Sequence, residues 1–156
     1  MQRHSSFFAV TVLTVVAGAC GRDSGEEQPP PDTAAPTAPP AAPAGNVVEI
    51  RMTGDGVTTA RYEPDRVTIS PGTTLRFVNV SGPPHNISFW ADSIPAGAAA
   101  VLEPAMPNAI APLQGALLTQ LNETYDVSFA GAPTGQYKGY CLPHLPLGMR
   151  IWITVQ

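Results

Sequence analysis

The stretch TLRFVNV, residues 74–80, alternates in a way that only an extended chain can use. Leu75, Phe77 and Asn79 fall on one face, and Arg76, Val78 and Val80 on the other. A period of two in a run rich in β-branched and aromatic residues reads as a strand with one face buried. Six more segments suit strands: VVEIRM (47–52), RVTIS (66–70), NISFW (86–90), TYDVSF (124–129), GQYKGYC (135–141) and RIWITV (150–155). Between them stand breakers such as TGDG (53–56), SPG (70–72), SGPP (81–84) and GAPTG (131–135). Short strands punctuated this often predict an all-β antiparallel sandwich of about seven to eight strands.

One segment does not alternate. ADSIPAGAAAVLEPAMPNAIAPLQGA, residues 91–116, is rich in Ala and Pro and reads as a long excursion between two strands, with a short helical turn near Val101–Met106. Loops of this length are commonly functional.

The strand pattern starts at Asn46, and residues 46–156, about 110 of them, have room for one compact domain. What precedes it is of a different kind. Seven of the chain's 18 prolines lie between Gln28 and Gly45, in a stretch with no aromatic and no large aliphatic residue, which cannot build a core. Residues 20–45 therefore read as a disordered, Pro/Ala-rich linker. The first nineteen residues read as an export signal: basic Arg3, an apolar run from Phe7 to Val16, then small residues. The apolar run is shorter than the ~20 residues that a spanning helix needs. Ala17, Gly18 and Ala19 before Cys20 resemble the bacterial lipoprotein cleavage box, which implies a lipidated Cys20, although Ala17 departs from the larger aliphatic residue usual there. A lipidated Cys20 would tether the domain to a membrane by a linker reaching at most about 75–80 Å. Ordinary signal cleavage nearby, leaving a free soluble protein, is the alternative.

Composition excludes some functions. The formal charge is −4, and within residues 46–156 eight carboxylates are interspersed with six Lys or Arg, so nucleic acid is not an expected partner. Cys20 and Cys141 are the only cysteines, which limits disulfides to one.

YCLPHLPLGM, residues 140–149, gathers Cys141, His144 and Met149 into one loop. No orienting carboxylate or cleft for a Cys–His nucleophile is evident nearby. Structural zinc would lack a fourth strong ligand, because Met is a poor zinc donor. A trigonal His₂Cys set with a weak axial Met is instead the ligand set of mononuclear electron-transfer copper. The second histidine would be His85, in GPPHNISF, the only other one in the domain. Taken singly, His85 reads as a loop histidine, Met149 as a core side chain and Cys141 as an inert buried thiol. Together, at this spacing and in a β-sandwich, they read as one copper site.

With these residues in view the domain resembles the cupredoxin family, the type 1 blue copper proteins, and most closely its plastocyanin branch. The resemblance rests on PHNISF, DSIPAG (92–97), NETYDVSF, GQYKGYC and the Cys-x₂-His-x₄-Met spacing of CLPHLPLGM. It implies a Greek-key sandwich over residues 46–156 binding one copper ion, with His85, Cys141 and His144 as strong ligands and Met149 as the axial one. Asn86 would brace the ligand loop by hydrogen bonding. The implied function is one-electron transfer by a monomer that is not an enzyme; oxidases and nitrite reductases need further copper centres and hence more histidines. Leu142, Pro143, Leu145, Pro146 and Leu147 would form an apolar patch around a His144 edge close to the surface, where a redox protein docks transiently, and Tyr140 would mark a second exit. The setting would be extracytoplasmic, on the periplasmic face of a bacterial membrane or, without the tether, soluble in the periplasm or secreted. A copper carrier or buffering protein with the same ligands is the alternative. Three features depart from the family. Asp92 alone stands where plant plastocyanins carry acidic clusters. Gly139 replaces an aromatic, implying looser packing beside Tyr140. Ile151–Trp152 replace a Gly-Lys-like pair, implying an altered backbone beyond Met149.

Overall fold

A computed structural model describes residues 45–156. The export signal over 1–19, Cys20 and the linker up to residue 44 lie outside the described residues.

Eight strands form: β1 (Val47–Gly54), β2 (Ala60–Glu63), β3 (Arg66–Ile69), β4 (Thr74–Asn79), β5 (Ser88–Phe89), β6 (Thr124–Ser128), β7 (Gly135–Tyr140) and β8 (Arg150–Val155). They make two four-stranded sheets, ordered β2-β1-β4-β6 and β3-β8-β7-β5. The sandwich is not purely antiparallel as expected: β1 pairs with β4 and β3 with β8 in parallel. Alternation tells which face of a strand is buried, but not which neighbour it meets or in which direction. Here the chain leaves the first sheet after β2, places β3 in the second and returns as β4 beside β1, so these two run the same way.

In β4 the alternation works as read. Leu75, Phe77 and Asn79 are fully buried, whereas Arg76 turns outward and grips Asp126 of β6 through two hydrogen bonds of 2.9 and 2.7 Å. Buried Asn79 donates from Nδ2 to the carbonyls of Leu118 and Gln120 at 3.2 and 2.8 Å, which satisfies the donor half of its amide, while its Oδ1 has no hydrogen-bond partner. Ile50, Met52 and Val127 of the first sheet and Tyr137, Ile151 and Ile153 of the second complete a shared core. Burying each such side chain contributes about 1.5–3 kcal/mol. Strand β2 falls outside the seven segments read from sequence, yet its four residues alternate too: Ala60 and Tyr62 inward, Arg61 outward, with Tyr62 paired to Met52.

The excursion over 91–116 opens with a 3-10 turn, Ala91–Ser93, followed by α1, Ala98–Leu102. The helix sits earlier than expected because its inward positions are Ala98 and Leu102, both fully buried; Pro104 comes just after the capping residue Glu103 and cannot continue it. The end of the excursion returns along β5. Phe89 N–H donates to Leu113 O, and Gly115 N–H to Ile87 O, while His85 and Leu118 exchange N–H···O bonds of 3.0 and 2.8 Å. These bonds fix the backbone at His85.

Candidate metal centre

His85 comes from the loop entering β5, Cys141 directly follows β7, and His144 lies in the loop between β7 and β8. Their three ligating atoms converge although the residues are up to 59 positions apart. His85 Nδ1 and His144 Nδ1 are 3.1 Å apart, and Cys141 Sγ lies 3.7 Å from the first and 3.6 Å from the second. A point equidistant from all three sits about 2.0 Å from each, against typical metal–imidazole bonds of ~2.0–2.1 Å and metal–thiolate bonds of ~2.3 Å. One ion fits this triangle.

The triangle is preset by its surroundings. His85 Nε2 lies 2.8 Å from the Ser81 carbonyl. A carbonyl only accepts, so Nε2 carries the hydrogen, and neutral His85 aims the lone pair of Nδ1 at the cluster. Burial pushes the pKa values of His85 and His144 down, which favours the neutral imidazoles that a metal requires. Burial pushes the Cys141 thiol up, opposed by backbone N–H groups of Asn86 and His144. A cation held in the triangle would reverse that preference by favouring the thiolate.

Asn86 joins separate segments. Its Oδ1 accepts from Leu142 N–H at 2.8 Å, its Nδ2 donates to Ser88 Oγ and Gly115 O, and its carbonyl accepts from Tyr62 Oη–H at 2.6 Å. The segment that carries His85 is thereby tied to the loop that carries Cys141. Within that loop Cys141 N–H donates to Met149 O at 3.1 Å and Met149 N–H to His144 O at 3.2 Å. The bonds close a ring of nine residues and hold Met149, itself fully buried, beside the site. A 3-10 turn, Leu145–Leu147, ends at Gly148, whose φ of 81° suits glycine.

The loop exterior is apolar. Leu142 and Pro146 are exposed, and Pro143, Leu145 and Leu147 half-buried. His144 itself is only 4% exposed, less open than the resemblance implied, so this face is formed mainly by the leucines and prolines around it. Tyr140 lies on the other side. Because neighbours in a strand point oppositely, it faces the outside of the second sheet while Cys141 faces the triangle. There the ring of Trp90 stacks on it, with centroids 4.4 Å apart and planes at 30°.

Packing at Gly139 is tight, contrary to expectation. Gly139 pairs with Ile151 across β7 and β8, and a Cβ there would come within 2.8 Å of Ile87 Cδ1 and 2.9 Å of Ile151 Cγ2. The two departures from the family pattern compensate: Ile151 and Ile87 fill the room beside the glycine. The backbone past Met149 runs directly into β8 at Arg150.

Two contributors went unread in the sequence, Ser81 and Tyr62. Both act through backbone carbonyls, Ser81 by offering one and Tyr62 by binding one. Only the serine's place in the SGPPH turn, four residues before His85, gave a local signal.

Two buried imidazoles and a thiol around one point, with a buried methionine close in the same loop, define a β-sandwich protein with a mononuclear site for a borderline-to-soft metal. Residues 48–156 match the family of copper binding proteins described as plastocyanin/azurin, and the chain belongs to that family. It is 40% identical to a plastocyanin of Scenedesmus fuscus over 95 residues, 61% of this chain and 86% of that one. It is 36% identical to a plastocyanin of Rumex obtusifolius over 109 residues, 70% of this chain and all of that one. Among solved structures, the oxidised plastocyanin of the fern Dryopteris crassirhizoma superposes with a TM-score of 0.54 at 28% identity, covering 70% of this chain and all of the fern protein.

Proposed function

We propose that the chain is a one-electron carrier whose single copper ion would be held by His85, Cys141 and His144 and, more weakly, by Met149. The observation that carries this reading is the buried triangle of donor atoms, with edges of 3.1–3.7 Å, in a chain of the plastocyanin/azurin family. Copper, when bound, supplies a Cu(II)/Cu(I) couple in which no substrate bond is made or broken. The chain's own residues keep the donors in place for both states. Ser81 orients His85, Asn86 braces the Cys141 loop, and the ring from Cys141 to Met149 limits the travel of His144 and Met149. The soft sulfurs of Cys141 and Met149 favour the reduced ion, and the imidazoles serve both. Leu142, Pro143, Leu145, Pro146 and Leu147 exclude water and offer an apolar face to a transient redox partner, while Tyr140 offers a second route through the Cys141 backbone.

The domain works outside the cytoplasm as a monomer. The export-type segment over 1–19 supports the location, and Cys20 is the proposed lipid anchor. Among the described residues no helix is long and apolar enough to cross a membrane. Mass spectrometry of the mature N-terminus tests the anchor: a diacylated or triacylated Cys20 is expected, and an unmodified terminus elsewhere rejects it.

Electron carriage is tested against copper carriage by measuring self-exchange and metal release on one sample. Fast self-exchange with copper retained against a competing chelator is expected. Slow exchange with ready transfer of copper to the chelator would replace this reading by buffering or delivery.

A further inference from the structure

The two outer faces of the sandwich differ in charge. On the first sheet, Glu49, Glu63 and Asp126 alternate with Arg51, Arg61 and Arg76, and two ion pairs, Arg61–Glu63 and Arg76–Asp126, form among them. That face is balanced. On the second, β3, β5, β7 and β8 contain no carboxylate at all, yet Arg66, Lys138 and Arg150 are all exposed on them. Ladder pairing sets Arg66 and Lys138 on either side of Trp152, with the Arg66 guanidinium 4.4 Å from the centre of the indole. Among the described residues none of the three cations has an ion-pair partner.

The same face is indented. An open cleft of about 380 Å³ is lined by Trp90, Lys138, Arg150 and Trp152, with Asp92 as its one carboxylate. Its lining combines two half-buried tryptophans with two exposed cations. Trp90 is also the ring stacked on Tyr140, which adjoins Cys141 in sequence. The cleft is therefore the outer end of a continuous run of side chains and backbone that starts at the metal triangle.

From this geometry we infer that the Trp90–Trp152 cleft with Arg66, Lys138 and Arg150 is the docking face for a protein partner with an acidic surface. Charge complementarity selects the partner: a surface with three cations to the single carboxylate of Asp92, in a domain whose other sheet is neutralised, attracts carboxylates and repels basic proteins. Large aromatic rings beside arginine are the residue types that concentrate binding energy at protein interfaces. That the partner exchanges electrons rests on the carrier reading above; the docking itself does not.

The test uses the full chain, isotopically labelled, in its metal-free and copper(I) forms, titrated with a decaglutamate peptide as the acidic probe and decalysine as its opposite. Decaglutamate should shift the indole signals of Trp90 and Trp152 and the amide of Lys138 in both forms. Its binding should weaken roughly tenfold or more in Lys138→Glu/Arg150→Glu, and comparably as ionic strength rises from ~10 mM to ~0.15 M and the Debye length falls from ~30 to ~8 Å. The variants change exposed side chains, and an unaltered spectrum elsewhere verifies their fold. Shifts confined to residues 142–147, or equal shifts with decalysine, would overturn the inference. Equal shifts with inorganic phosphate would replace it by a small-anion site. Indole shifts caused by salt alone, without peptide, would mean that the acidic segment Asp23–Asp32 of the chain already occupies the face, and would overturn it as well. The metal-free titration keeps the result readable if the copper reading fails; absent binding beside a reversible copper couple would reject the docking face alone.

Discussion

Gly139 faces Ile151 across the β7–β8 ladder, one residue short of Tyr140 and two short of Cys141, with no room for a β-carbon between them. Gly139→Ala should therefore cost about 1–3 kcal/mol, the usual penalty for overpacking a core. Ile151→Ala removes the obstructing Cγ2 at the expense of a cavity, so the double variant should be less destabilised than the sum of the singles by ~0.5–3 kcal/mol. Urea unfolding of the four metal-free proteins measures this. Strict additivity would mean that the two positions are independent.

Asn86 is the next most consequential contact. Asn86→Ala leaves the part-buried Leu142 N–H without its acceptor and the buried Gly115 O without its Asn86 donor. Each buried group left unpaired costs on the order of 1–3 kcal/mol. The unfolding midpoint should fall, and copper should leave the loaded variant faster than it leaves the wild type. Unchanged release with a lowered midpoint would confine Asn86 to the stability of the fold.

Tyr125 gives a pH dependence away from the metal. Its Oη–H donates to Pro107 O at 2.8 Å, pinning the 91–116 excursion to β6, and burial pushes its pKa from 10.0 up to about 12. A raised folded pKa means that the neutral phenol is the form the fold prefers. Its contribution is whole below the unfolded pKa of about 10 and is lost as pH rises toward and through about 12. The stability difference between wild type and Tyr125→Phe, measured by denaturant between pH 9 and 12, should shrink with rising pH. A difference that stays constant would contradict the assignment, and taking the difference removes the alkaline titration of the other tyrosines and of Cys141.

Much of the site was legible because its chemistry is carried by rare residue types. The domain has only two histidines and one cysteine, so His85, Cys141 and His144 had few competitors, and Met149 lies within the same nine-residue segment as Cys141. The strands were legible where alternation is strong, as in TLRFVNV. It fails for ARYE, where only two inward residues, Ala60 and Tyr62, carry the pattern. The parallel pairings were not legible because facial alternation contains nothing about neighbours. The Tyr62–Asn86 and Ser81–His85 hydrogen bonds engage backbone carbonyls, which every residue has, so no residue type marks them. Gly139 was misread for a related reason: an absent side chain looks like a gap until Ile87 and Ile151 are seen filling it.

Met149 can be separated from the other three by its weak role. Met149→Leu should still bind copper and keep its colour while its reduction potential moves upward, since a thioether donor is lost and the site becomes drier and more apolar. Voltammetry of the loaded variant reads the shift. Loss of copper from this variant would show that Met149 is a strong ligand instead.

The most direct measurement is the absorption and paramagnetic resonance spectrum of the full chain loaded with Cu(II), beside that of Cys141→Ser. Intense visible absorption from thiolate-to-copper charge transfer and a narrow copper hyperfine splitting are expected in the wild type, and both should vanish in the variant. A colourless wild-type protein that takes up zinc equally well and shows ordinary wide hyperfine splitting would contradict the account.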